Sequence, residues 1–141
     1  MNAKFFGVWA ASAAFFACSL PMFAHHSFAA EFDVKQPVTL KGTVTKLEWT
    51  NPHVWIYIDV MNEDGTVAHW QCENGAPNAL ARMGWTRHSL KVGDQVTIEG
   101  FRAKNNALTA NARQVLLPDG RKVFSGSAED GGPGKAKESG Q

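Results

Sequence analysis

A chain of 141 residues with 44% hydrophobic composition is long enough for one domain with a core of its own. The formal net charge is +1, and loss of Lys4 with a cleaved leader takes the 14 Lys and Arg to 13, equal to the 13 Asp and Glu. No net positive charge then draws the chain to nucleic acid or to an anionic membrane, and both are expected to be excluded as partners.

The first 24 residues read as a leader. Lys4 is followed by an apolar run from Phe5 to Leu20, then Pro21 and the segment Met22, Phe23, Ala24, the layout of a secretory signal cut after a small residue. Residues 1–24 are therefore expected to be a signal peptide, and the protein to reach the periplasm or the medium of a bacterium. An uncleaved anchor is the rival, although the run is barely long enough to cross a bilayer. A lipoprotein reading through Cys18 suffers from Phe15, Phe16 and Ala17, which poorly match the small and aliphatic residues that precede a lipidated cysteine. Cleavage leaves Cys72 as the lone cysteine of the mature chain, so an internal disulfide is excluded, and a monomer is expected.

The mature chain opens with His25, His26, Ser27 and Phe28, and residues 25–33 are expected to form an N-terminal arm that docks through Phe28 and Phe32. Val34 to Pro37 reads as a connector, with Pro37 suited to strand entry. A first strand follows from about Val38 to Trp49. Val38, Leu40 and Val44 share one parity while Leu47 and Trp49 share the other, so the alternation slips near Thr45. With Gly42 inside the strand, that slip predicts a bulge or bend of the kind small barrels use at corners.

Leu47 to Glu73 is the stretch the domain is organised around. From His53 to Val60 the apolar residues Val54, Ile56, Ile58 and Val60 alternate with His53, Trp55, Tyr57 and Asp59, the period of a half-buried strand. In the next strand Ala68, Trp70 and Cys72 oppose Val67, His69, Gln71 and Glu73. A three-residue loop of Glu63, Asp64 and Gly65, with Gly65 in the left-handed region, pairs Ile58 with Trp70 and Asp59 with His69. Loops of two or four residues would set Ile58 against His69, so the apolar pattern selects the three-residue loop. The outer face is then His53, Trp55, Tyr57, Asp59, His69, Gln71 and Glu73.

Past the hairpin, Pro77 at a first helical position and Gly84 just beyond the end bracket a short helix to about Met83, with Leu80 and Met83 as its apolar edge. Trp85 to Leu90 is irregular and Val92, Gly93 and Asp94 turn the chain. Gln95 to Ala103 is a fourth strand with Val96 and Ile98 inward. Asn105 and Asn106 fit a tight turn before a fifth strand on which Leu108, Ala110 and Ala112 share a face. Val115 to Phe124, broken at Pro118, Asp119 and Gly120, adds a terminal hairpin. Residues 125–141 hold five glycines and no aliphatic residue larger than alanine, and read as a disordered tail.

Three strands, a short helix and two further strands, the first strand bent, resemble the OB fold, a five-stranded and partly open barrel. Residues 34–124 are expected to form that domain, with a small β-sandwich as the alternative. The strings "HHSFAAEFD", "VTLKGTVTKLEWTNPHVWIYIDV", "ENGAPNALARMGW" and "SLKVGDQVTIEG" resemble a family of small exported bacterial proteins that carry a domain of unknown function. The resemblance spans about residues 25–123 and implies export and a small β fold, with no activity or site attached.

Two chemistries compete. The outer face of the hairpin is rich in aromatic and hydrogen-bonding groups, and Trp55, Tyr57, His69 and Glu73 are its candidate ligand-binding residues, with Trp49 and Trp85 as neighbours. It suits a planar small molecule such as a sugar, or a protein partner, unless Phe28 and Phe32 cover it. The other chemistry is copper. A cut after Ala24 makes His25 the first residue, whose free amine and imidazole can chelate Cu(II), much as in the histidine-brace sites of exported copper proteins, with His26 or His53 completing the set and His69 or Glu73 in reserve. The competing view makes His25 and His26 a polar arm and His53 a strand-end cap. Asp59 opposite His69 could orient an imidazole for base catalysis, but an exposed cross-strand pair is commonly worth under about 1 kcal/mol. Cys72 falls on the inner face, where a thiol is unreactive. Without a phosphate loop, CxxC motif, nucleophile elbow or carboxylate dyad, the residues favour a binding module over a conventional enzyme.

Overall fold

The computed structural model describes residues 28–126. Its order is α1 (Phe28–Glu31), β1 (Phe32–Glu48), β2 (Trp55–Met61), β3 (Val67–Glu73), α2 (Pro77–Arg82), β4 (Gln95–Ala103), β5 (Thr109–Leu116) and β6 (Lys122–Phe124). The strands form one sheet in the order β3-β2-β1-β4-β5-β6, and an additional parallel pairing of β3 with β5 closes it on itself. In that seam Gln71 pairs with Thr109, Cys72 with Ala110 and Glu73 with Asn111. The ring of β1, β2, β3, β5 and β4 is a small OB-like barrel, and β6 extends it from β5.

β1 begins at Phe32, earlier than its alternation allows one to see, so Val34 to Pro37 lies within the strand. Pairing with β4 explains this: Phe32 opposes Ala103, and Pro37 to Thr43 oppose Phe101 to Gln95 without a break. From Thr43 onward the same strand pairs with β2, so it must turn from one neighbour to the other. Two features permit the turn. The register shifts between Val44 and Lys46, where the sequence alternation slips. At Gly42 an added Cβ would lie 2.6 Å from the Asp59 carbonyl oxygen, so only glycine lets β2 cross this closely.

The β2–β3 hairpin has the expected register, with Ile58 opposite Trp70 and Asp59 opposite His69. Gly65 takes φ +83° and its N–H donates to the Asn62 carbonyl, closing the three-residue loop. The inward set, Val54, Ile56, Ile58 and Cys72, is essentially inaccessible and packs with Val44, Ile98, Ala110, Ala112 and Val115. α2 contributes Leu80 to this core and starts at Pro77, whereas Met83 ends up exposed. Trp85 is buried, and its indole N–H donates to the Phe124 carbonyl at 3.1 Å.

The stretch read as a tail begins inside the fold. Ser125 is fully buried: its N–H donates to the Arg113 carbonyl, its carbonyl accepts from the Gly75 N–H, and its hydroxyl donates to Oδ1 of the buried Asn74. Ser125 thus ties the C-terminal hairpin to the end of β3, a role that a small polar residue does not announce in sequence. The remaining tail residues, 127–141, fall outside the described part.

Candidate functional site

Tyr57, Asp59, His69 and Gln71 project outward from the hairpin because their neighbours Ile58 and Trp70 are drawn into the core. Together with Thr45 at the β1 bulge and Ala107, Leu108 and Thr109 they line an open groove of about 360 Å³. Its far wall is the β4–β5 connection, which is fixed from several directions. Arg102 donates through Nε to the Ala107 carbonyl at 3.2 Å and lies over the Trp70 ring. Asn106 takes φ 61° in the tight turn, and the Gln71 N–H donates to the Leu108 carbonyl at 3.0 Å. Gln71 Nε2 donates to Thr109 Oγ1 at 2.9 Å across the parallel seam. Leu108, read as sharing a face with Ala110 and Ala112, is 40% exposed and forms part of the groove, while those two alanines are buried. β5 itself starts only at Thr109, so this wall belongs to the loop and has no periodic signal.

The groove carries organised charge. Tyr57 donates its hydroxyl to Glu48 Oε2 at 2.7 Å, and the Lys46 ammonium pairs with the same carboxylate while lying 5.2 Å from the Tyr57 ring centroid. The Lys46 ammonium, with the Tyr57 hydroxyl second, holds the Glu48 carboxyl below the usual range, and bonding to Glu48 pushes the phenol up. His69 Nδ1 meets Asp59 Oδ1 at 2.6 Å, but the two side chains are 79% and 37% exposed, so the pair holds a ring in place rather than stabilising the fold.

The candidate ligand-binding residues separate into two places. Tyr57 and His69 share the groove, whereas Trp55 and Glu73 lie opposite each other at the far end of the hairpin, outside its lining. Glu73 is turned to His53, whose Nδ1 is 2.5 Å from Glu73 Oε1. The two tryptophans thought to extend the aromatic face do not join it. Trp85 belongs to the core, and Trp49 packs partly buried against that core. Nor do Phe28 and Phe32 cover the face: Phe28 stacks on Phe32 at 5.7 Å and meets Phe101 edge-on at 6.0 Å, so these rings go to β4. Cys72 is inaccessible, and burial pushes its thiol up to about 12, which leaves it protonated and inert. His25 and His26 lie outside the described residues.

A closed small barrel with a groove between its central hairpin and the β4–β5 loop defines a class, the OB-like β proteins. The chain belongs, more particularly, to a family of unknown function (DUF6152), whose model matches residues 14–112. No curated protein matches it. Among solved structures it is similar to the crystal structure of the mitochondrial single-stranded DNA binding protein Rim1 of S. cerevisiae, at 12% identity and a TM-score of 0.46, covering 58% of this chain and 92% of that one. That match corrects the exclusion of nucleic acid drawn from net charge. Single strands are held by local stacking and local charge, which a chain-wide sum does not measure. Among the described residues no helix is long and apolar enough to cross a membrane.

Proposed function

We propose that the protein is an exported binding module that takes a small polar ligand with a planar face in the groove between the β2–β3 hairpin and the β4–β5 loop. The observation that carries this reading is the groove itself. Its volume of about 360 Å³ lies within the range of small-molecule sites, and its walls combine the Tyr57 ring and Leu108 with the Asp59 carboxylate, the His69 imidazole, the Gln71 amide and the Thr109 hydroxyl. Rings supply contact area, and fixed hydrogen-bonding groups supply orientation. The core is complete without these side chains, so they are open to selection for binding. Export is supported by the leader-like residues 1–24 alone.

Nitrogen-15 NMR of the protein, titrated with a panel of neutral oligosaccharides and short peptides, tests this reading. Amide shifts should cluster at Tyr57, His69, Gln71 and Thr109 and vanish in Tyr57→Ala, whose circular dichroism should match that of the parent. Shifts clustered elsewhere, or no response to any probe, would count against the groove.

A further inference from the structure

The groove between the hairpin and the β4–β5 loop presents mainly hydrogen-bond acceptors. Asp59 meets His69 Nδ1 through Oδ1, and among the described residues its Oδ2 takes no hydrogen bond. A carboxylate can only accept, so in the neutral imidazole the proton sits on Nδ1 and Nε2 keeps its lone pair. Gln71 gives its Nε2 to Thr109 Oγ1, which leaves the amide oxygen as a further acceptor. A ligand that matches this wall must donate hydrogen bonds.

The same surroundings disfavour formal charge of either sign. Both aromatic rings of the region already carry a cation: the Lys46 ammonium lies 5.2 Å from the Tyr57 centroid, and the Arg102 guanidinium 5.5 Å from that of Trp70. A cationic ligand seeking either ring meets like charge. Nor do those cations draw in an anion, because Lys46 is paired with Glu48, and Arg102 donates through Nε and Nη2 to the carbonyls of Ala107 and Asn106. An anion in the groove faces the Asp59 carboxylate instead, whose side chain is 37% exposed. What remains is an uncharged, donor-rich ligand with an apolar side for the Tyr57 ring and Leu108. A sugar ring has that form, with hydroxyls around its rim and a flat face of C–H groups. An extended peptide offers N–H and C=O groups in equal number, a poorer match to an acceptor wall.

On the reading that this groove is the working site, we propose that its ligand is a neutral carbohydrate, with sugar hydroxyls donating to Asp59 Oδ2 and Gln71 Oε1 and one pyranose laid on the Tyr57 ring. Asp59 sets the selection. A hydroxyl bonds more strongly to a carboxylate than to a neutral acceptor, and the same charge repels a uronic acid. His69 is a positioning residue that holds the carboxylate from the solvent side.

The test titrates the nitrogen-15 labelled protein at low salt with trisaccharides of one size: uncharged cellotriose, maltotriose and chitotriose, anionic trigalacturonate and cationic triglucosamine. At least one uncharged trimer should shift the amides of Tyr57, Gln71 and Thr109, and the charged trimers should bind about tenfold more weakly or worse. Asp59→Asn should weaken the uncharged trimer about tenfold and narrow its advantage over trigalacturonate. Equal binding of a charged trimer, or groove shifts with short peptides alone, would overturn the carbohydrate assignment and leave the groove standing as the site. Groove amides that respond to neither sugars nor peptides would overturn both. Unchanged sugar affinity in Asp59→Asn would also overturn the assignment. The comparison of charged with uncharged trimers is made on the unaltered protein, so it does not depend on the variant folding.

Discussion

Removing Asn74 should destabilise the protein more than any surface change, because this buried side chain ties the end of β3 to Val54 before β2 and to Ser125 after β6. It is 2% exposed, and its Nδ2 donates to the Cys72 carbonyl at 2.8 Å and to the Val54 carbonyl at 3.3 Å, while Oδ1 accepts from the Ser125 hydroxyl. In Asn74→Ala the two firmer bonds are lost at about 1 kcal/mol each, and the Ser125 hydroxyl stays buried without its acceptor, which costs about 1–2 kcal/mol more, for a total of roughly 3–4 kcal/mol. Ser125→Ala should cost about 2 kcal/mol, half of it from the Oδ1 left without a donor. In the double variant neither orphan remains and the shared bond is lost only once, so its cost should fall below the sum of the single changes by about 3–4 kcal/mol. Urea denaturation followed by tryptophan fluorescence supplies all three values, since Trp85 reports the same region through its bond to Phe124. Additive costs, or a Ser125→Ala change without effect, would refute the claim that the C-terminal segment is tied into the barrel by this pair.

Tyr57 is the one tyrosine of the chain, so its ionisation can be followed by ultraviolet absorbance without assignment. It should titrate above the ordinary phenol range near pH 10 because Glu48 accepts its proton, and Glu48→Ala should bring the midpoint back down; equal midpoints would show that the bond is absent in solution. Cys72 should be silent toward a disulfide reagent in the folded protein and react fully in denaturant, and rapid native labelling would contradict its burial. Its folded pKa of about 12 lies above the ordinary thiol value of 9.0, so the stability linked to the neutral thiol is complete below about pH 9 and is lost as pH rises toward 12. Cys72→Ala should therefore flatten the alkaline decline of the urea midpoint between pH 9 and pH 11, and an unchanged profile would count against it.

The hairpin was legible in the sequence because its information is local. A period of two, one glycine at the turn and a single apolar match between Ile58 and Trp70 leave one register, and a slip of one residue would turn every side chain to the other face. The bend in β1 was legible for the same reason, since the bulge between Val44 and Lys46 is where the parity changes. Other features depend on partners far along the chain. The parallel seam of β3 and β5, the extension of β1 back to Phe32 against Ala103, and the burial of Ser125 against Asn74 are pairings between residues tens of positions apart. Neither partner carries a local mark of them: a serine beside glycine looks like a tail until a carbonyl and an amide need it. The candidate site divides in the same way. Alternation identified which residues face outward, but the choice of Glu73 by His53, the exposure of the Asp59–His69 pair and the groove wall at Leu108 follow from how the barrel closes, because closure alone sets which outward side chains are enclosed together and which stay in water.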